Sequence, residues 1–127
     1  MSVGTILYSR LTTHAGTAAL VSNRVYPLAL PQAVTRPAIT YREISSVPID
    51  GQNRLYRKRL QLSFWAASYD GADALATQGK AALRGYADKG GTPVLIRCED
   101  VNTAETFDDE SNMWGVLVDF FLTVSED

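Results

Sequence analysis

One cysteine, one histidine and two tryptophans stand in this chain of 127 residues. With Cys98 alone, no internal disulfide can form, and a reducing compartment is the natural setting. With His14 as the sole histidine, zinc lacks the three or four nitrogen and sulfur ligands it needs. Long apolar runs are missing as well. Asp119 interrupts the most hydrophobic segment, and nothing approaches the ~20 residues that span a bilayer. The opening Met1-Ser2-Val3-Gly4-Thr5 has neither the basic nor the apolar region of a secretory signal, so the chain reads as cytosolic when made. Neither sign of charge dominates: 12 Lys and Arg against 14 Asp and Glu leave a net charge of −2. That balance excludes a global attraction to nucleic acid or an anionic membrane, so any electrostatic function must come from local patches.

Chemistry finds little to work with. A nucleophilic triad would have to join His14, Cys98 and a carboxylate. A reactive cysteine needs an electropositive, partly exposed setting. Cys98 instead alternates in phase with Val94 and Ile96 on an apolar strand and is followed by Glu99 and Asp100, the pattern of a buried core thiol. His14 falls in a polar turn between helical segments, where a solvated side chain is expected. The acidic stretch 105–110 lacks the alternating oxygen ligands and central glycine of a calcium loop. Gly90-Gly91 follows a helix, whereas phosphate-binding glycines precede one. No catalytic residue, metal ligand or cofactor site is assigned.

What is present is an ordinary globular composition, 46% hydrophobic and 20% charged. A chain of this length suits one domain over 1–127 and buries roughly two thirds of its unfolded surface. Val3, Ile6, Leu7 and Leu11 have the spacing of a helix with one buried stripe. Gly16 interrupts it, and Thr17 to Val21 forms one further turn. Pro27, Pro31 and Pro37 make an extended, irregular connection. A strand starts at Ala38 and runs to about Ser46, and Val47 to Asn53 is a turn-forming cluster. The next strand is basic at its base and alternates from Leu60, with Leu60, Leu62, Phe64 and Ala66 on one face and Gln61, Ser63 and Trp65 on the other.

A helix is predicted from Asp70, as N-cap, to about Tyr86, closed by Lys89-Gly90-Gly91. Its small residues let it lie close on the sheet. Two strands remain, one carrying Val94, Ile96 and Cys98 and the other alternating from Met113 to Val124. An acidic turn spans Thr103 to Asn112 between them. The fold class is α+β: a two-layer sandwich with an antiparallel sheet of about four strands, helices mainly on one face and a protruding hairpin.

Two charged groups and one apolar group are candidate sites. Arg54, Arg57, Lys58 and Arg59 form a basic arm. It can be read as a nucleic-acid contact with Tyr56 stacking, as a solubilised arm that discourages edge pairing, or as a docking arm for a neighbouring subunit. Glu105, Asp108, Asp109 and Glu110 form the acidic turn, whose opposite charge would orient an encounter with the arm. Trp65, Leu117 and Phe121 share the strand face away from the core, either as an interface patch or covered by the same chain.

The order of these parts has a counterpart. Asn23-Arg24-Val25-Tyr26-Pro27, then Pro37-Ala38-Ile39-Thr40-Tyr41, then Phe64-Trp65-Ala66-Ala67-Ser68-Tyr69-Asp70, at these spacings, resemble the tail completion or tail terminator proteins of long-tailed bacteriophages. The resemblance covers nearly the whole chain. It implies a structural virion protein with no enzymatic activity, placed at the neck or head-proximal tail end after assembly in the host cytoplasm. It also implies a homo-oligomeric ring, commonly a hexamer, that stops tube polymerisation and joins the head. The implied partners are the tail tube protein and a head-tail connector or adaptor. Membrane is not among them, and genome DNA would pass through the ring lumen without sequence-specific contact. The resemblance favours the docking reading of the basic arm. The alternatives are a head-side adaptor or head-completion protein, a small nucleic-acid-binding regulator and a cryptic hydrolase.

Overall fold

The computed structural model describes residues 3–31, 35–50, 55–90, 93–109 and 112–125. Along the chain run α1 (Val3–Thr13), α2 (Ala15–Val21), β1 (Val25–Pro27), β2 (Ala38–Asp50), β3 (Leu55–Ala66), α3 (Tyr69–Leu83), β4 (Val94–Asp108) and β5 (Met113–Ser125). The strands form one sheet in the order β1-β2-β3-β5-β4. The expected antiparallel pairs are there, β2 with β3, β3 with β5 and β4 with β5. A fifth strand joins them: β1 pairs parallel to β2, Val25 opposite Ile39 and Pro27 opposite Tyr41. Its three residues are too few for a periodicity to register, and the following prolines mask it.

The helices pack on one face. Val3, Ile6, Leu7 and Leu11 of α1 are buried, as their spacing requires. Gly16 does not interrupt; the chain breaks at His14, whose extended backbone leads into α2. Thr17, buried, donates to the carbonyls of Leu11 and His14 and so pins the break. Under α3, Leu60, Leu62, Phe64 and Ala66 of β3 meet Val116, Val118, Phe120 and Leu122 of β5 in a single core cluster. Each fully buried Leu or Phe there contributes about 1.5–3 kcal/mol relative to exposure. Gly79 makes the approach possible: a Cβ on it would stand 2.3 Å from Phe64 Cε1.

Helix α3 is shifted and shorter than its pattern suggests. Ser68, not Asp70, is the N-cap, its hydroxyl accepting from the Gly71 amide at 3.0 Å. Asp70 lies in the first turn, where its charge suits the helix dipole. The helix stops at Leu83, because Arg84 turns extended and Gly85 takes a φ of +74°. That glycine supplies the left-handed turn expected of Lys89-Gly90-Gly91. Gly91 itself lies outside the described residues.

Both hairpins are longer than expected. Pairing of β2 with β3 continues to Asp50 opposite Leu55, so Val47–Pro48 belongs to a strand and not to the turn. Residues 51–54, Arg54 among them, lie outside the described residues. The segment expected as an acidic turn is largely strand as well: β4 and β5 pair up to Asp108 opposite Met113. Threonines and Phe107, which favour strands, outweigh the low strand preference of the acids spaced among them.

Candidate assembly interface

The two hairpins leave the sheet at opposite ends. β3 is antiparallel to both β2 and β5, so Leu55 lies opposite Ser125 and Ala66 opposite Trp114. The last β2–β3 pair, Asp50 with Leu55, therefore marks one end of β3, and the last β4–β5 pair, Asp108 with Met113, lies at the other. With 12 residues in β3, the ends are roughly 36 Å apart.

On the basic arm the cations are arranged differently from one another. Lys58 Nζ is 3.2 Å from Glu43 Oε1, with the lysine side chain only 12% exposed. Arg59 is tied to Asp119 at 2.5 Å, and Gln61 donates to the other oxygen of that carboxylate. The Nε of Arg59 is buried with no acceptor among the described residues. Arg57 is exposed and stacks its guanidinium 4.4 Å from the centre of the Phe121 ring. It makes no ion pair among the described residues and is the open one of the arm's described cations.

Two shifts in the β2 register, around Ile44 and Ile49, bend this strand. The bend makes a groove of about 530 Å³ between Val47, Pro48 and Ile49 on one side and Arg57, Arg59 and Phe121 on the other. Val47 and Ile49 are more than half exposed, 56% and 55%. Exposed aliphatics beside an open cation make a surface suited to an apolar group carrying negative charge.

At the other end the acidic residues share their hairpin with aromatics. Phe107 lies 4.7 Å from Trp114, and Trp114 meets Tyr69 edge-on at 5.8 Å. All three rings are exposed. Tyr69, at the start of α3, donates its hydroxyl to Glu105, and this hydrogen bond to a carboxylate raises the tyrosine pKa. Asp108 and Asp109 follow on the surface, and Glu110 lies outside the described residues. By strand alternation Trp114 shares the phase of Val116 and Val118, yet it is exposed. It lies past the end of the core, packed on Tyr69 and Phe107, because α3 begins only at Tyr69. This aromatic group was missed from the sequence. Its signal was a run of aromatics at the ends of three elements, which only the strand register brings together.

Trp65, Leu117 and Phe121 do lie on the face away from the helices, each half-buried. They do not form one apolar patch. Trp65 lies over Gly115, where a Cβ would stand 2.6 Å from its ring, and donates to Thr40. Asp119, only 4% exposed, sits between Leu117 and Phe121 along β5 and holds Arg59 there. A charged pair thus divides the face.

Cys98 is fully buried. Its thiol pKa is pushed up to about 12 by burial, then by the charges of Asp100 and Glu99. A thiol so protonated at neutral pH is a poor nucleophile. Its buried neighbour on the strand is Leu95, not Ile96 as the alternation suggested. A register shift between Leu95 and Arg97 turns Ile96 outward, 39% exposed. His14 is half-buried, with no acceptor or donor for its Nδ1 among the described residues. The described residues contain no group of three or more His, Cys, Asp or Glu placed to hold a metal ion. Several arginines serve the fold instead. Arg24 donates to the carbonyls of Pro37 and Leu20, fastening the two proline-marked segments, and Arg10 donates to Ala82 while stacking on Tyr86.

Solved structures include a close match in shape. A chain from the virion of a native gene transfer agent particle superposes with a TM-score of 0.79 at 19% identity, covering 98% of this chain and 95% of that one. At that identity the likeness concerns the fold. Among curated proteins, none matches by sequence. The family described as Tail completion protein gp17 matches residues 5–125, almost the full length. The chain belongs to this tail completion protein family, and it is a structural component of a phage-type tail rather than an enzyme.

Proposed function

We propose that this protein forms a ring, a hexamer by the family resemblance, on the head-proximal end of the tail tube. The ring ends tube polymerisation and offers the surface to which a head-tail connector or adaptor binds. The observation that carries this reading is the polarity of the sheet. A basic arm with an open groove lies at one end and an acidic, aromatic tip at the other. Surfaces that differ and face opposite ways make head-to-tail contacts, and such contacts close into a ring when their rotation permits. The arm residues Arg54, Arg57, Lys58 and Arg59 and the tip residues Glu105, Asp108, Asp109 and Glu110 belong to those contacts. Phe121, which lines the groove, belongs to those contacts as well, and the face around Trp65 and Leu117 is left for the tube or the connector. Genome DNA would cross the lumen without base recognition. The fold's resemblance to a chain of the gene transfer agent virion fits a place in a virion.

Loss of the protein tests the assignment. Lysates lacking it should contain filled heads without tails, beside tubes of uncontrolled length seen by electron microscopy. Tails of normal length that fail to attach would instead point to a head-side adaptor. Normal infectious particles would remove both readings.

A further inference from the structure

We propose that the groove on the basic arm is the socket for the Phe107 end of a second copy of this chain. The proposal rests on the ring reading and gives that ring its contact. Within one copy the groove and Phe107 lie near opposite ends of the sheet, so the same chain cannot bring them together. Between copies their chemistry matches. The groove has aliphatic walls at Val47 and Ile49, Phe121 as its floor and Arg57 stacked on that floor. Its volume of about 530 Å³ admits more than one side chain.

Phe107 is 39% exposed and sits between Glu105 and Asp109, two positions away on either side. An aromatic body with a carboxylate on each flank fits an apolar groove rimmed by a guanidinium. The ring supplies the buried area, and the charges set the direction of approach. Phe107 is already oriented by its contact with Trp114, so little side-chain entropy is lost on docking. Because socket and plug are different surfaces, each copy uses both, and the contact repeats around a closed ring.

Cross-linking of the full-length protein tests the contact. Ser45→Cys at the groove and Asp109→Cys beside Phe107 are made in separate chains, both at exposed positions that leave Phe107 and the aliphatic walls in place; Cys98 is buried and stays out of reach. Mixed under mild oxidation, the two variants should give a disulfide-linked dimer that neither gives alone. Independently, Arg57→Glu should weaken self-association about tenfold at low salt, and Asp109→Arg in the same chain should recover part of the loss. Both positions are exposed, and circular dichroism checks that each variant is folded. Rings of wild-type mass that give no mixed disulfide, or that ignore Arg57→Glu, would overturn the socket while leaving the ring. A wild-type protein that sediments as a monomer at every concentration and does not collect on isolated tube ends would overturn the ring reading itself.

Discussion

The helix-covered half of the sheet and its two hairpin ends are made from the same strands, yet different forces fix them. Under α3 the constraint is steric. Phe64, Phe120, Leu62 and Leu122 are fully buried, and Gly79 admits Phe64 where no side chain would fit. Interiors are packed as densely as organic crystals, so a change of one methyl group is felt there. Beyond the helix layer the same strands carry Val47, Ile49, Val101, Phe107 and Trp114 exposed. Backbone pairing extends the ladder past the core, and these side chains stand outside the close packing of the core. The core half holds the fold, and the ends carry the exposed surfaces proposed above for assembly.

Substitutions should separate the two halves. Phe120→Ala removes a fully buried ring between the sheet and the helices and should cost about 3–5 kcal/mol of stability, read by urea denaturation. Phe107→Ala, an aromatic truncation at the exposed end, should change the urea midpoint little while impairing assembly. Equal losses of stability for the two would erase the distinction between halves. Gly79→Ala tests the close approach. Helix propensity favours alanine by about 1 kcal/mol, but a Cβ 2.3 Å from Phe64 forces repacking that costs about 1–3 kcal/mol. Net destabilisation is expected. A more stable variant would mean that Phe64 has room to move aside.

Cys98 offers a smaller test of the same boundary. It lies at the inner end of β4, buried, with its thiol pKa raised to about 12. A thiol reagent should leave the native protein unmodified at about pH 8 and label it only after denaturation. The linkage has a definite sign. With the folded pKa above the unfolded one, this thiol's contribution is complete below the unfolded value and is lost as pH rises towards about 12. Rapid labelling of the folded chain would place the core boundary elsewhere.

The two halves also differed in how much the sequence disclosed. The core half was legible because burial imposes periodicity: the α1 stripe, the alternation of β3 and that of β5 from Val116 onward each named the buried residues. Parts set by local backbone geometry were less so. Register shifts in β4 moved Ile96 outward and left Leu95 beside Cys98, which simple alternation cannot foresee. Gly85, rather than the later glycine pair, ends α3, although Arg84-Gly85 stood in the sequence as a stop signal. At the ends, charge clusters were visible, but their partners were not. That Lys58 and Arg59 are engaged within the chain while Arg57 stays open depends on Glu43 and Asp119, which are distant in sequence. The aromatic group of Tyr69, Phe107 and Trp114 likewise exists only through pairing.

The smallest expected effect lies where the halves meet. Arg84, just past the end of α3, grips Asp100 of β4 through two hydrogen bonds of 2.8 and 2.9 Å. The arginine side chain is 63% exposed, so solvent screens the pair and its contribution to stability is slight. Its pH signature should still be readable. The hydrogen bonds from Arg84 hold the Asp100 pKa below the usual carboxylate value, against the opposing effect of burial. A lowered folded pKa means that the contribution is present above the unfolded carboxylate range. It fades as pH falls through the folded value. Wild type and Arg84→Gln should therefore differ slightly in urea midpoint at about pH 6, and the difference should vanish in strong acid. Asp100→Asn should remove the same increment and flatten its pH dependence. Assembly should be indifferent to both changes, because this pair braces helix to sheet and lies in neither the groove nor the tip. A pH-independent difference would assign the effect of Arg84→Gln to lost packing of its side chain rather than to the ion pair.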